Sequence, residues 1–166
     1  MAELQHVKGL ADLQKFLDQL TPKVEANVMR GALRAGTNTV KPIAQSRIHS
    51  VSGLLAAGLK VGTRRRGSIV TSNLKATGPH RSIAHLVEYG TKAHNIAARA
   101  VGWLSFGGIF RKEVAHPGAR LQPFMRPALD AQASAAVVAA AEYMKKRLST
   151  KEGLDTSHIV IEGDET

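Results

Sequence analysis

Apolar side chains recur every three or four residues near both ends of the chain, and between those stretches they alternate with polar residues or scatter among glycines. Leu10, Leu13, Leu17 and Leu20, with Phe16 beside them, predict an amphipathic helix of about three turns. Thr21-Pro22 reads as an N-cap followed by a proline at the first helical position, so a second helix begins almost where the first ends. Val24, Val28, Ala32, Ala35, Val40, Ile43 and Ala44 carry that pattern to about Ile48. Gly31, Gly36 and Pro42 weaken it, and Pro42 predicts a bend. From Ser52 the texture changes. Residues 54–63 and 68–76 are strand-like, with Arg64-Arg65-Arg66-Gly67 short enough to be the tip of an antiparallel hairpin. Residues 83–89 fit a third strand or a short helix, ended by Gly90.

Residues 92–115 are the least regular part of the chain, yet Trp103, Leu104, Phe106, Ile109 and Phe110 sit there among Gly102, Gly107 and Gly108. That is too apolar for an idle loop, and it predicts an arm or hairpin that docks on a neighbour. His116-Pro117-Gly118 then turns the chain into Leu121-Gln122-Pro123-Phe124-Met125-Arg126-Pro127-Ala128-Leu129. A helix starts either at Pro123, with Pro127 still inside the first turn, or at Pro127 after a lead-in turn. Beyond it Leu129, Ala133, Val137, Ala140, Met144 and Leu148 form one seam. Seven alanines between Ala131 and Ala141 keep that surface thin, so another backbone can approach closely. The seam packs on the chain's own sheet, or its far side meets a second subunit. The expected architecture is α+β: a small antiparallel sheet with a β-hairpin, packed by N-terminal helices and a long alanine-rich C-terminal helix.

At 166 residues the chain suits one domain, residues 1–149, with the apolar arm at about 92–115 and an acidic tail at 150–166. The formal charge is +10. Residues 151–166 hold one lysine against five carboxylates, a local −4 that leaves +14 on the rest. So basic a body attracts polyanions, either nucleic acid or the acidic face of another protein. Arg64, Arg65 and Arg66 are its densest cluster and the candidate polyanion contact. The tail, with only His158-Ile159-Val160-Ile161 as an apolar run, is expected to be mobile or held by a partner.

Candidate chemistry is sparse. No cysteine is present, which excludes disulfides, thiolate metal sites and a cysteine nucleophile. A Gly-x-Ser-x-Gly elbow, a phosphate-cradling glycine loop and a His-Glu-x-x-His motif are all absent from the sequence. His80, His85, His94 and His116, even with Glu88, match no standard ligand spacing, so no metal site and no cofactor are expected. Glu88 is the only acidic residue between Glu25 and Glu113. A lone carboxylate among cations points to a structural ion pair or cap rather than acid–base chemistry. The N-terminus shows no basic segment followed by an apolar run, and nothing approaches a membrane span, so a cytoplasmic site of synthesis is expected.

Three motifs occur in order: Val51-Ser52-Gly53-Leu54-Leu55, then His85-Leu86-Val87-Glu88-Tyr89-Gly90-Thr91, then His116-Pro117-Gly118-Ala119-Arg120-Leu121-Gln122-Pro123-Phe124-Met125-Arg126-Pro127-Ala128-Leu129. Together they resemble the neck and tail-completion family of tailed bacteriophages, whose namesake is gene product ten of the Hong Kong lambdoid phage. The similarity runs from about Thr21 to Leu148; residues 92–115 are longer and more apolar than the simple pattern, and the acidic tail lies outside it. The resemblance implies a structural, non-enzymatic α+β subunit that forms a six-fold ring in the neck or at the head-proximal end of a phage tail. Its partners would be copies of itself, neighbouring neck and tail proteins, and genomic DNA passing through the lumen. Its location would be the virion, after assembly in the host cytoplasm. A ring built from repeated heterologous contacts would bury Trp103, Leu104, Phe106, Ile109, Phe110, Phe124 and Met125 between subunits. A basic nucleic-acid-binding module is the rival, although only two Tyr, one Trp and four Phe serve for base stacking. An enzyme would require a histidine–carboxylate metal site.

Overall fold

A computed structural model describes residues 9–18, 20, 22–49, 52–98, 102–153, 155–157 and 159–161. The side chains of Phe16, Pro22, Lys23, Phe106, Lys151 and Glu152 are not described. The fold is α+β, with elements in the order α1 (Leu10–Asp18), α2 (Pro22–Ser46), α3 (Leu54–Ala57), β1 (Leu59–Arg66), β2 (Ile69–Ala76), a 3-10 turn (Pro79–Ile83), α4 (Ala84–Tyr89), β3 (His94–Ala97), β4 (Leu104–Phe106), β5 (Ile109–Arg111), β6 (Glu113–His116) and α5 (Met125–Glu152). The contacts cluster in two compact units, Met1–Arg81 with Phe124–Thr166, and Ser82–Pro123.

The first unit is built on α2 and α5. On α2, Val28, Ala32, Gly36, Val40 and Ala44 are buried at a spacing of four, one row along the helix. Its two glycines lie where α5 passes. A Cβ on Gly36 would collide with the Ala136 carbonyl, and one on Gly31 with the ring of Tyr143. The pairings Gly36–Ala136 and Gly31–Tyr143 run in opposite directions along the two helices, so the helices are antiparallel. Gly36, which weakens the helical pattern, is therefore where a second backbone comes close, and Gly31 is where an aromatic ring does. Pro42 sits within α2, near its C-terminal end. Residues 47 and 48, expected in the helix, form a turn, with Arg47 N–H donating to the Ile43 carbonyl at 3.3 Å.

The core joins Leu13 and Leu17 of α1 to Val28 and Ala32 of α2 and to Ala141, Met144 and Leu148 of α5. Ile159 completes it at 1 % exposure. The expected separation of a tail at residue 150 is thus corrected. Helix α5 runs on to Glu152 and stops at Gly153, whose φ of 68° supplies the left-handed cap. The chain then returns. Thr156 is buried, its hydroxyl donates to the Lys145 carbonyl at 3.4 Å, and the Lys145 ammonium donates to the Ile159 carbonyl. The signal was the short run at 158–161, in which one buried isoleucine contributes about 1.5–3 kcal/mol.

Residues 54–63 predict a strand, but Leu54–Ala57 is a single helical turn. Gly53 at φ 64° starts it, and Leu55 beneath it is 2 % exposed. Strand β1 follows and pairs antiparallel with β2 from Leu59↔Ala76 to Arg66↔Ile69. Gly67, at φ 61°, opens the two-residue turn in the primed geometry that strand twist favours. The tip is therefore Gly67-Ser68, and the three arginines belong to the end of β1. The Thr37 hydroxyl of α2 donates to that of Ser72 on β2 at 2.7 Å, and the Gln45 amide to the Ala56 carbonyl at 2.8 Å. The first bond sets one face of the hairpin on α2, and the second ties α3 to the same helix.

Of the two prolines that introduce α5, Pro123 lies in the lead-in and Pro127 is the third helical residue. A missing N–H is tolerated there because the first turn has no acceptors to offer it. The expected seam divides. Met144 and Leu148 are buried and Val137 and Ala140 half-buried, whereas Leu129 is 56 % exposed.

Candidate functional site

In the second unit two separate motifs meet. Thr91 and Ala119 exchange both backbone hydrogen bonds, N–H to carbonyl at 2.9 and 3.1 Å, and the Gln122 N–H donates to the Val87 carbonyl at 2.8 Å. Glu88-Tyr89-Gly90-Thr91 thus lies against Pro117-Gly118-Ala119 and Leu121-Gln122. The glycines make the crossing possible. A Cβ on Gly90 would stand 2.7 Å from the Ala119 carbonyl oxygen, and one on Gly118 would strike the Thr91 carbonyl. Both residues also have positive φ, at 70° and 90°. Residues 83–89, open between strand and helix in the sequence, form the 3-10 end and α4.

This clasp is the root of an arm. β3 pairs with β6 from His94↔His116 to Ala97↔Glu113, Ala98 N–H donates to the Lys112 carbonyl at 2.8 Å, and β4 pairs with β5 farther out. Gly107 and Gly108, at φ 55° and 86°, form the two-residue turn at the tip. Trp103, Ile109 and Phe110 are 59 %, 59 % and 64 % exposed, and Leu104 is half-buried. Phe106 pairs through its backbone with Ile109, while its side chain lies outside the described residues. The Lys112 ammonium stands over the Trp103 ring, 5.4 Å from its centroid.

Of the other residues expected between subunits, Phe124 is completely buried within its own chain and belongs to the interior, which corrects that expectation. Large aromatic residues beside helix starts are core anchors as readily as contacts, and the sequence carries no signal that separates the two. Met125 is half-buried and lines an apolar groove of about 570 Å³ in the first unit. Leu33 and Val40 of α2, Leu74 of β2, and Leu129 and Val137 of α5 line the same groove.

The triple arginine is divided by the strand. Leu59, Val61, Thr63 and Arg65 alternate onto the side that faces α2, and Arg65 borders a small cleft with Glu25 and Met29 while its Nε–H donates to the Gly67 carbonyl at 2.8 Å. Arg64 and Arg66 stand on the outer side. Register adds Lys60 and Lys75 to them, directly opposite each other, and sequence inspection for clusters misses both.

Glu88 is buried, at 7 % exposure, and no buried side-chain polar atom among the described residues lacks a hydrogen-bond partner. His94 and His116 are brought together, with ring centroids 5.1 Å apart. Gly118 N–H donates to His116 Nδ1 at 3.0 Å, so that nitrogen is an acceptor. His80 sits on the 3-10 turn and His85 on α4. Among the described residues no group of three or more His, Asp or Glu side chains could hold a metal ion, and no helix is long and apolar enough to cross a membrane. No protein-family model, curated protein or solved structure matches the chain.

Proposed function

We propose that this chain is a structural, non-enzymatic subunit of a tailed-phage virion that assembles as a six-fold ring at the head–tail junction or the head-proximal end of the tail. Its place would be the neck or tail, reached from the host cytoplasm. Its neighbours would be its own copies, other neck and tail proteins, and the genome in the lumen. The observation that carries the reading is the arm. A two-stranded ribbon with Trp103, Ile109 and Phe110 exposed, rooted where two of the resembling motifs clasp, is an apolar surface that association would cover. Repeated by rotation, one arm per subunit supplies a closed set of heterologous contacts.

Light scattering after size exclusion, at low and high salt and with nuclease treatment, tests it. The expected result is a discrete multimer that survives nuclease, and its loss in the Trp103→Ser/Phe110→Ser variant. Full-sized rings from that variant would overturn the role of the arm. The second reading, a basic nucleic-acid-binding module, is favoured by the cations on the outer face of the β1–β2 hairpin. A monomer that binds DNA with steep salt dependence and never assembles would select it.

A further inference from the structure

We infer that the outer face of the β1–β2 hairpin is a binding surface for the phosphate backbone of double-stranded DNA, made by Lys60, Arg64, Arg66 and Lys75 and excluding Arg65. It stands whether the protein works as a ring or as a module, since ring assembly is read from mass and this surface from binding.

Leu59–Ala76 contains no carboxylate, and strand alternation sorts its five cations four to one. Lys60, Arg64, Arg66 and Lys75 are all exposed on the outer face, and none is ion-paired to a described residue. Lys60 and Lys75 are cross-strand partners. Two like charges directly opposite oppose the pairing of their strands, and an anion between them relieves that. At the centre Gly62 faces Asn73, and a Cβ at Gly62 would stand 3.0 Å from the Asn73 side-chain oxygen. The Asn73 amide and the Lys75 ammonium lie over the bare Gly62 position, Thr71 stands opposite Arg64, and Ile69, opposite Arg66, is the one large apolar side chain on this face.

Such a surface matches a duplex backbone in charge and length. From Lys60 to Arg66 the ribbon extends about 20 Å at about 3.4 Å per residue, against a duplex that presents one negative charge per roughly 1.7 Å of axis. Phosphates accept from lysine, arginine, threonine and asparagine without regard to sequence. Single-stranded nucleic acid is the poorer fit, because its binding relies on aromatic platforms and this face has none.

The test is fluorescence anisotropy of a labelled mixed-sequence duplex, and of one of its single strands, titrated with the full chain over a range of potassium chloride concentrations. Each phosphate contact contributes about 0.9 to the slope of log K against log salt. Lys60→Ala/Arg64→Ala/Arg66→Ala/Lys75→Ala should therefore flatten the duplex slope by about 3 to 4, while Arg65→Ala leaves it unchanged. A charge-matched variant elsewhere, Arg30→Ala/Arg34→Ala/Arg111→Ala/Lys146→Ala, should change it by less than about 1. Arg64→Lys/Arg66→Lys, which keeps charge on the ribbon, should retain the slope and guards against a folding artefact. Equal losses in the two quadruple variants, an unaltered slope in the first, or tighter binding of the single strand would each overturn the proposal.

Discussion

Replacing Gly36 by alanine tests the α2–α5 packing on which the first unit rests. In an exposed helix interior the change would stabilise by about 1 kcal/mol, because glycine loses more backbone entropy on folding. Here the new methyl meets the Ala136 carbonyl, with the Ala140 methyl 3.5 Å away. A carbonyl locked in a helix has no rotamer to change, so relief requires α5 to move off α2. Overpacking of that kind costs about 1–3 kcal/mol. The two effects oppose, and the steric one wins by about 1 kcal/mol on the central values. Gly31→Ala is the matched control. Its methyl meets only the far end of the Tyr143 ring, on a residue 36 % exposed that can swing toward solvent. That variant keeps most of the propensity gain. Urea unfolding followed by circular dichroism should therefore rank Gly31→Ala at or above the parent and Gly36→Ala below it, separated by about 1–2 kcal/mol. If Gly36→Ala equalled or exceeded Gly31→Ala in stability, the close approach of the two helices would be refuted.

Ile159→Ala should lower stability by about 2–4 kcal/mol and speed proteolysis within residues 155–161, read by urea midpoint and by mass spectrometry of the fragments. A cost of a few tenths would mean that the tail does not pack in the core. Lys75→Glu places a carboxylate opposite Lys60, and should stabilise the hairpin by about 0.2–1 kcal/mol in low salt while weakening duplex binding. Calorimetric melting and anisotropy on one preparation would test both signs; a destabilised variant would contradict the register.

The long elements are legible because a helix announces itself by period. Val28, Ala32, Val40 and Ala44 mark the buried row of α2, and Met144 and Leu148 that of α5. Short elements have no period to read. Leu54-Leu55-Ala56-Ala57 suits a strand or one helical turn equally, and the decision comes from Gly53 at positive φ and from Leu55 reaching the interior. The seam of α5 is legible as a line of residues but not as a line of burial. With alanine on most sides the helix has no strongly apolar face, so Leu129 can lie open in a groove while Ala128 beside it is completely buried. Ile159 shows the converse, since an acidic surrounding masks a residue that the core holds.

The candidate site follows the same logic at closer range. Arg64-Arg65-Arg66 is one cluster in sequence and two surfaces in space, because successive side chains on a strand point to opposite faces. Once the register is known, the cluster loses its middle member and gains two lysines, Lys60 from four residues before Arg64 on the same strand and Lys75 from nine residues after Arg66 on the other. Motif glycines carry the complementary lesson. Gly90 and Gly118 are separated by the whole arm, yet each leaves room for the backbone beside the other, and neither could be read as half of a pair without the Thr91–Ala119 bridge. That clasp gives the arm a fixed root. A side chain larger than hydrogen at either glycine would have to open the two backbone bonds between Thr91 and Ala119, so the exposed aromatics at the tip depend on residues that never touch them.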